Sequence, residues 1–260
     1  MRQRIVTAII ALAALLLVLF VVPPVATRIV IGGLMLVGAW EWSGFLGTTG
    51  IATRIVYVAL IGTMLVVVTL ALTTYTELLL MMSMAWWLAA LIWTFFFPTP
   101  IPAVIRWFAG AIVLVPLYAA LMLLYEIEPA ILLFALLIVW VADSGAYFAG
   151  KNFGRVKLAP RISPGKTWEG AIGGMVAVVL LIIGRSFWID TNLSVLVPFC
   201  LAVVAVSIVG DLTVSMFKRT AGVKDSGTLF PGHGGVLDRI DSVAAATPLF
   251  ALGMGWLGLR

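Results

Sequence analysis

Apolar residues in this chain arrive in runs about twenty long, the length an α-helix needs to cross roughly 30 Å of hydrocarbon. IVTAIIALAALLLVLFVV (5–22), RIVYVALIGTMLVVVTLALTT (54–74) and LSVLVPFCLAVVAVSIVG (193–210) leave no polar face at either helical or strand period. In lipid, every backbone N–H and C=O must find its partner inside the protein, and runs of this length do so as helices. Between them fall chain breakers: Pro23-Pro24, Gly47 to Gly50, Thr73 to Glu77, Pro98 to Pro102 and Glu126 to Pro129. Nine spans are expected, at about 5–22, 28–46, 54–73, 78–97, 103–125, 129–150, 169–190, 194–218 and 238–258. The expected fold is therefore an all-α polytopic integral membrane protein, with a single membrane domain over residues 1–260. Composition agrees: 63% of residues are hydrophobic and 10% charged, against roughly 45–50% and 25% in soluble domains.

Charge placement orients the spans. With a cytoplasmic N-terminus, the cytoplasmic side receives Arg2, Arg4, Arg54, Arg106, Lys151, Arg155, Lys157, Arg161, Lys166, Lys218, Arg219 and Lys224. The opposite side holds Arg28, Arg185 and Arg260 with Glu77, Glu126, Glu128 and Asp190. This asymmetry is the positive-inside pattern, and it accounts for the net charge of +5 without nucleic acid as a partner. The first span reads as a retained anchor: it is longer than the 7–15 apolar residues of a signal peptide, and no small-residue cleavage site follows it. The lone Cys200 lies in an apolar run and reads as a small buried hydrophobe.

Several carboxylates remain at membrane depth. Asp143 and Asp211 each lie seven residues before the cytoplasmic end of their span, roughly 10 Å inside at 1.5 Å per residue. Asp238 and Asp241 open the ninth span from the same side, and Glu169 opens the seventh. An ion near the bilayer centre costs about 2.5–3.5 kcal/mol, so short Asp side chains this deep need partners or a water-filled cavity. A polar cavity opening to the cytoplasmic side is expected. Glu169, Asp190 and Glu41, the last flanked by Trp40 and Trp42, read instead as interfacial residues. Asp238 and Asp241 are spaced to face one way on a helix, with Ser242 one turn beyond Asp238. A carboxylate and hydroxyl cluster without His pairs or Cys suits Mg²⁺.

The longest polar connections flank these acids, at 151–168 and 219–237. Their cations can neutralise phosphates, and Gly234 and Gly235 allow backbone N–H groups close to an anion. His233 has three readings: a turn residue, a phosphate or nucleotide contact, or a general base. GxxxxGK[ST] does not occur, which excludes that nucleotide-binding motif. An internal repeat with paired half-helices, expected of many ion-coupled transporters, is also lacking. Gly170-x-x-x-Gly174 and Ala146-x-x-x-Gly150 are expected to let helices pack closely.

Residues 215–241 carry Ser215, Lys218-Arg219, Lys224-Asp225, Gly227, Phe230-Pro-Gly-His-Gly-Gly235 and Asp238-Arg-x-Asp241. This stretch resembles the signature of the phosphatidate cytidylyltransferases, the CDP-diacylglycerol synthases, and DSGAYFAGKNFGRVKLAPRISPGKTWEGAIGG (143–174) is similar to the family's second region. The resemblance implies transfer of CMP from CTP to phosphatidate, yielding CDP-diacylglycerol and pyrophosphate in phospholipid biosynthesis. It further implies Mg²⁺ with a second cation such as K⁺, a homodimer, and a multi-pass protein of the bacterial plasma membrane with its active site cytoplasmic. Residues 126–260 would then carry the chemistry and 1–125 the scaffold and dimer contacts. In roles, Asp211, Asp238 and Asp241 would hold the metal. Asp143 would line the same cavity. Lys218, Arg219, Lys224 and Arg239 would bind phosphates, and Ser163 and Lys166 would close over the nucleotide with Ser215, His233, Gly234 and Gly235. The Asp-Gly…Ala-Arg…Gly…Asp…Asp arrangement of CDP-alcohol phosphotransferases is not found.

Overall fold

The structure, a computed structural model, describes residues 2–48, 50–70, 72–229 and 234–257. Among them are nine α-helices: α1 (Arg2–Phe20), α2 (Pro24–Ser43), α3 (Ile51–Leu70), α4 (Leu72–Phe96), α5 (Ala103–Ile127), α6 (Pro129–Phe153), α7 (Trp168–Ser186), α8 (Leu193–Thr220) and α9 (Leu237–Trp256). Seven of these, α2 to α8, are long and apolar enough to cross a membrane, so the chain is a multi-pass membrane protein. One departure from an all-helical chain stands between α6 and α7. There β1 (Lys157–Ala159) and β2 (Ser163–Thr167) pair antiparallel, with Lys157 opposite Thr167 and Ala159 opposite Ser163. The polar connection expected from 151 begins only after Phe153, and the one expected from 219 begins after Thr220.

The helices sort by what surrounds them. α3 presents Ile55, Val56, Val66, Val67 and Leu70 outward, as a lipid-facing helix should. By contrast, α9 packs against α2, α4, α5, α6 and α8 and buries Asp238, Asp241 and Ser242, Ala244 to Phe250 except Leu249, and Ala251 to Met254. Its more modest apolar character follows: its neighbours are helices, and small residues let them approach. Pro116, Pro198 and Pro248 sit inside helices, where surrounding helices tolerate them.

The chain alternates between two ends of the bundle. At one end Arg106 donates to the Ile101 and Phe45 carbonyls at 2.8 and 3.2 Å. There too Arg161 lies 3.5 Å from the Phe97 carbonyl and Arg219 Nε bonds Ile162 O at 3.2 Å. The α2–α3, α4–α5, α6–α7 and α8–α9 connections are thus gathered together. At the other end Arg28 pairs with Glu126 at 2.9 Å and Trp256 donates to Glu77 at 2.9 Å.

Two close approaches shape the packing of α6 to α9. Between α6 and α7, a Cβ on Gly170 would meet the Ala146 carbonyl at 2.9 Å, and one on Gly174 the Ala142 carbonyl at 2.6 Å. The small-residue spacing expected from sequence does serve helix packing. Between α8 and α9, a Cβ on Gly210 would stand 2.5 Å from the Asp241 carbonyl oxygen and 2.8 Å from Ala245 Cβ.

Candidate active site

Gly210 brings α8 and α9 together where each carries a carboxylate. Asp211 follows it directly, and Asp241 lies across the contact, close enough that the two charges interact. Two ammonium groups hold this acid pair. Lys166 Nζ, from β2, reaches Asp211 Oδ2 at 2.7 Å. Lys218 Nζ, two turns along α8 from Asp211, sits 2.8 Å from Asp238 Oδ1 and 3.7 Å from Asp241 Oδ2. The i, i+3 spacing of Asp238 and Asp241 thus points both carboxylates at one cation. Ser215 donates to Asp211 Oδ1 at 3.1 Å, and the Ser242 amide to Asp241 Oδ1 at 2.9 Å.

α6 adds Asp143, which faces the Ser242 hydroxyl and interacts with the charges of Asp211, Lys166 and Arg239. Asp143 keeps accessible surface although it stands deep among protein atoms. Asp211 and Lys166 keep about a quarter of their side-chain surface, 26% and 25%. Asp211 and Lys166 are thus part-exposed, not sealed in packing.

The β-hairpin is what delivers Lys166. Its turn is tied to α8 by Arg219 at the Ile162 carbonyl. Its far strand runs into α7, where the Thr167 hydroxyl caps the helix by accepting from Gly170 N at 3.1 Å. Glu169, read from sequence as interfacial, accepts the Val156 amide on both oxygens, at 3.1 and 3.2 Å, and so fixes the entry to the hairpin.

The α8–α9 loop is held by a second pair of carboxylates. Asp238 Oδ2 accepts from the Ser226 amide at 2.8 Å, the Ser226 hydroxyl at 2.9 Å and the Gly235 amide at 2.9 Å. Glu41, from α2, accepts from the Val236 amide on Oε1 at 2.9 Å and the Leu237 amide on Oε2 at 2.8 Å, and lies 2.9 Å from the Ser226 hydroxyl. Glu41 is buried, so its interfacial reading is corrected. Trp42, beside it, is buried against Phe217 with ring centroids 5.0 Å apart. The tryptophans around Glu41 therefore mark, on that side, a helix contact. A carboxylate at membrane depth was the signal that could have found it.

Of the residues expected to form the site, Asp143, Lys166, Asp211, Ser215, Lys218, Asp238 and Asp241 are brought together, with Arg239 exposed beside them. Arg219 is spent on the hairpin turn. Ser163 lies at the start of β2, and Lys224 is exposed on the loop after α8. Gly234 adopts φ +82, and a Cβ there would stand 2.5 Å from Asp238 Oδ2. The Gly235 amide already serves Asp238, which removes it as a donor to phosphate. His233 lies outside the described residues.

Metal fit divides the three expected ligands. Among the described residues, no group of three or more His, Cys, Asp or Glu side chains is arranged to hold a metal ion; Lys218 bridges Asp238 and Asp241, and Lys166 pairs with Asp211. Asp238 has its oxygens committed to one lysine and three loop donors. Asp211 and Asp241 have two partners apiece, a lysine and a hydroxyl or amide, which leaves oxygen lone pairs of the kind a hard divalent cation takes.

Fold and site together define a polytopic membrane protein with a carboxylate and lysine cluster between its helices, at the end where the longest loops gather. The sequence model described as the Cytidylyltransferase family matches residues 2–256. Relatives named phosphatidate cytidylyltransferase include one from Haemophilus influenzae, 38% identical over 96% of this chain and 97% of its own length. Another, from Pseudomonas aeruginosa, is 38% identical over 96% of each chain. A third, from Staphylococcus haemolyticus, is 47% identical over 45% of this chain and 46% of its own. This chain belongs to the cytidylyltransferase family and is a nucleotidyltransferase.

Proposed function

We propose that this protein transfers CMP from CTP to phosphatidate, giving CDP-diacylglycerol and pyrophosphate. The observation carrying this is the half-open cluster of Asp211, Asp241, Lys166 and Lys218, in a chain matched nearly end to end by relatives named for that activity. An oxygen of the phosphatidate phosphate attacks the α-phosphorus of CTP as the bond to the β-phosphate bridge breaks, and pyrophosphate leaves. The second pKa of a phosphate monoester is near 6, so the nucleophile is ionised at neutral pH and no general base is needed. What the step requires is charge neutralisation and in-line placement of two anions.

The chain supplies both. Lys166 and Lys218 pair with the acids and carry the charge that incoming phosphates would meet, with Arg239 exposed beside them. Arg219 supports the hairpin bearing Lys166, and Ser163 and Lys224 line the approach. Mg²⁺ would be held by Asp211 and Asp241 and supply neutralisation of the triphosphate; a second cation such as K⁺ belongs to the same reading. All nine helices span the bacterial plasma membrane with the N-terminus and site cytoplasmic. The gathering of the even-numbered, basic connections at one end supports this arrangement. A homodimer would use the exposed apolar faces of the N-terminal helices.

The test is purified protein with CTP, phosphatidate and Mg²⁺, following CDP-diacylglycerol and pyrophosphate together. Stoichiometric formation of both is expected, and Asp211→Asn should lower turnover about 10²-fold or more. A folded Asp211→Asn protein at wild-type turnover would refute the assignment.

A further inference from the structure

Glu41 stands apart from the residues that the reaction uses, yet it is bound to them through the start of α9. Val236, at the N-cap, supplies no side-chain cap of its own. The first amides of a helix lack intrahelical acceptors, and the positive end of the helix dipole favours an anion there. Here the acceptor comes from another helix: Glu41 takes the Val236 and Leu237 amides, one on each oxygen. The surrounding chain is shaped around this carboxylate. A Cβ on Gly227 would lie 2.5 Å from Glu41 Oε1 and 2.9 Å from its Cδ, and one on Gly235 would meet both carboxylate oxygens. The Ser226 hydroxyl stands 2.9 Å from Glu41 Oε2 and 2.9 Å from Asp238 Oδ2, joining the cap to the acid that holds Lys218.

We propose that Glu41 is a positioning residue for nucleotidyl transfer: by capping α9 from α2 it fixes the height and rotation of the first turn of α9, and so holds Asp241 opposite Asp211. This inference rests on the function proposed above. Trp42 wedged on Phe217 fixes α2 against α8, so the cap is referenced to the helix that carries Asp211 and Lys218. Glu41 does not touch substrate in this account. Its loss is felt in turnover more than in nucleotide affinity.

The experiment uses the full chain in detergent with Glu41→Ala, Glu41→Gln, Gly227→Ala and the Glu41→Ala/Gly227→Ala pair. Amide hydrogen exchange at Val236 and Leu237 should rise about tenfold or more in Glu41→Ala while amides in the middle of α5 stay unchanged. Unchanged exchange at those two amides overturns the proposal, whatever the protein's activity. In turnover assays Glu41→Ala should lower kcat about 10- to 100-fold, the cost expected of roughly 1 Å misplacement, with KM for CTP within about twofold. A raised KM at unchanged kcat overturns it. Gly227→Ala alone should lower kcat because its methyl strikes Glu41. In the Glu41→Ala background it should add nothing, and losses that multiply would overturn the shared contact. If Glu41→Ala does not fold, Glu41→Gln and Gly227→Ala carry the same two readouts. A wild-type protein inactive with CTP and phosphatidate would defeat the functional reading alone, leaving the exchange result to decide the cap.

Discussion

Gly210→Ala is the smallest change that should separate the two acids at the centre of the site. The added methyl would lie 2.5 Å from the Asp241 carbonyl oxygen and 2.8 Å from Ala245 Cβ. Neither neighbour can turn aside: one is helix backbone and the other a side chain without rotamers. Relaxed contacts lie near 3.5–4.0 Å, so α8 and α9 must part by about 1 Å at this level. Overpacking of this kind costs about 1–3 kcal/mol of stability. The functional cost should be of similar size, since about 1 Å of misplacement can reduce turnover roughly 10²-fold, about 2.7 kcal/mol. The assay is CDP-diacylglycerol formation by purified, monodisperse protein, beside Gly33→Ala, where a Cβ meets nothing within 4 Å. Gly33→Ala should match wild type. A folded Gly210→Ala enzyme with wild-type kcat would refute the claim that close α8–α9 contact sets the site.

Lys218→Met should be the more damaging to the fold. It leaves Asp238 and Asp241 without the ammonium 2.8 and 3.7 Å away, and breaking a buried pair costs about 3–5 kcal/mol. Thermal unfolding in detergent should show the loss, with partial recovery on adding Asp238→Asn; unaltered stability would count against the pairing. Arg219→Gln removes the Nε donor to the Ile162 carbonyl and should speed limited proteolysis within 157–167 several-fold, as expected for losing one part-buried hydrogen bond worth about 1 kcal/mol. Equal cleavage rates would mean the hairpin is held by other contacts.

What the sequence made legible was whatever acts through short spacing or bulk polarity. Apolar runs located the helices to within a few residues, although α2 already begins at Pro24, half of an expected breaker, and Thr73 to Glu77, expected to break the chain, lies inside α4. Depth counting from Gly150 and Lys218 brought Asp143 and Asp211 to one level, and the glycines of α6 and α7 announced their contact. The acids' actual partners were illegible. Lys166 and Lys218 were expected at the nucleotide and its phosphates, and nothing local says that these lysines also pair with the acids. Glu41 was hidden for a plainer reason: its donors lie at 226, 236 and 237, far along the chain, while its neighbours are tryptophans common at membrane interfaces. The hairpin escaped because strands of three and five residues among glycines and prolines carry no usable period.

The enclosed position of α9 has a consequence for biogenesis. This helix follows the other eight in the chain, and carboxylates in its first two turns would gain nothing from lipid. Partitioning alone would hold it weakly; helices already in place must receive it, with Glu41 and Lys218 offering the first polar docking points. Until it arrives, half of the acid pair is missing, so a nascent or clipped protein would lack a working centre. Insertion of α9 would then serve as the step that arms the enzyme.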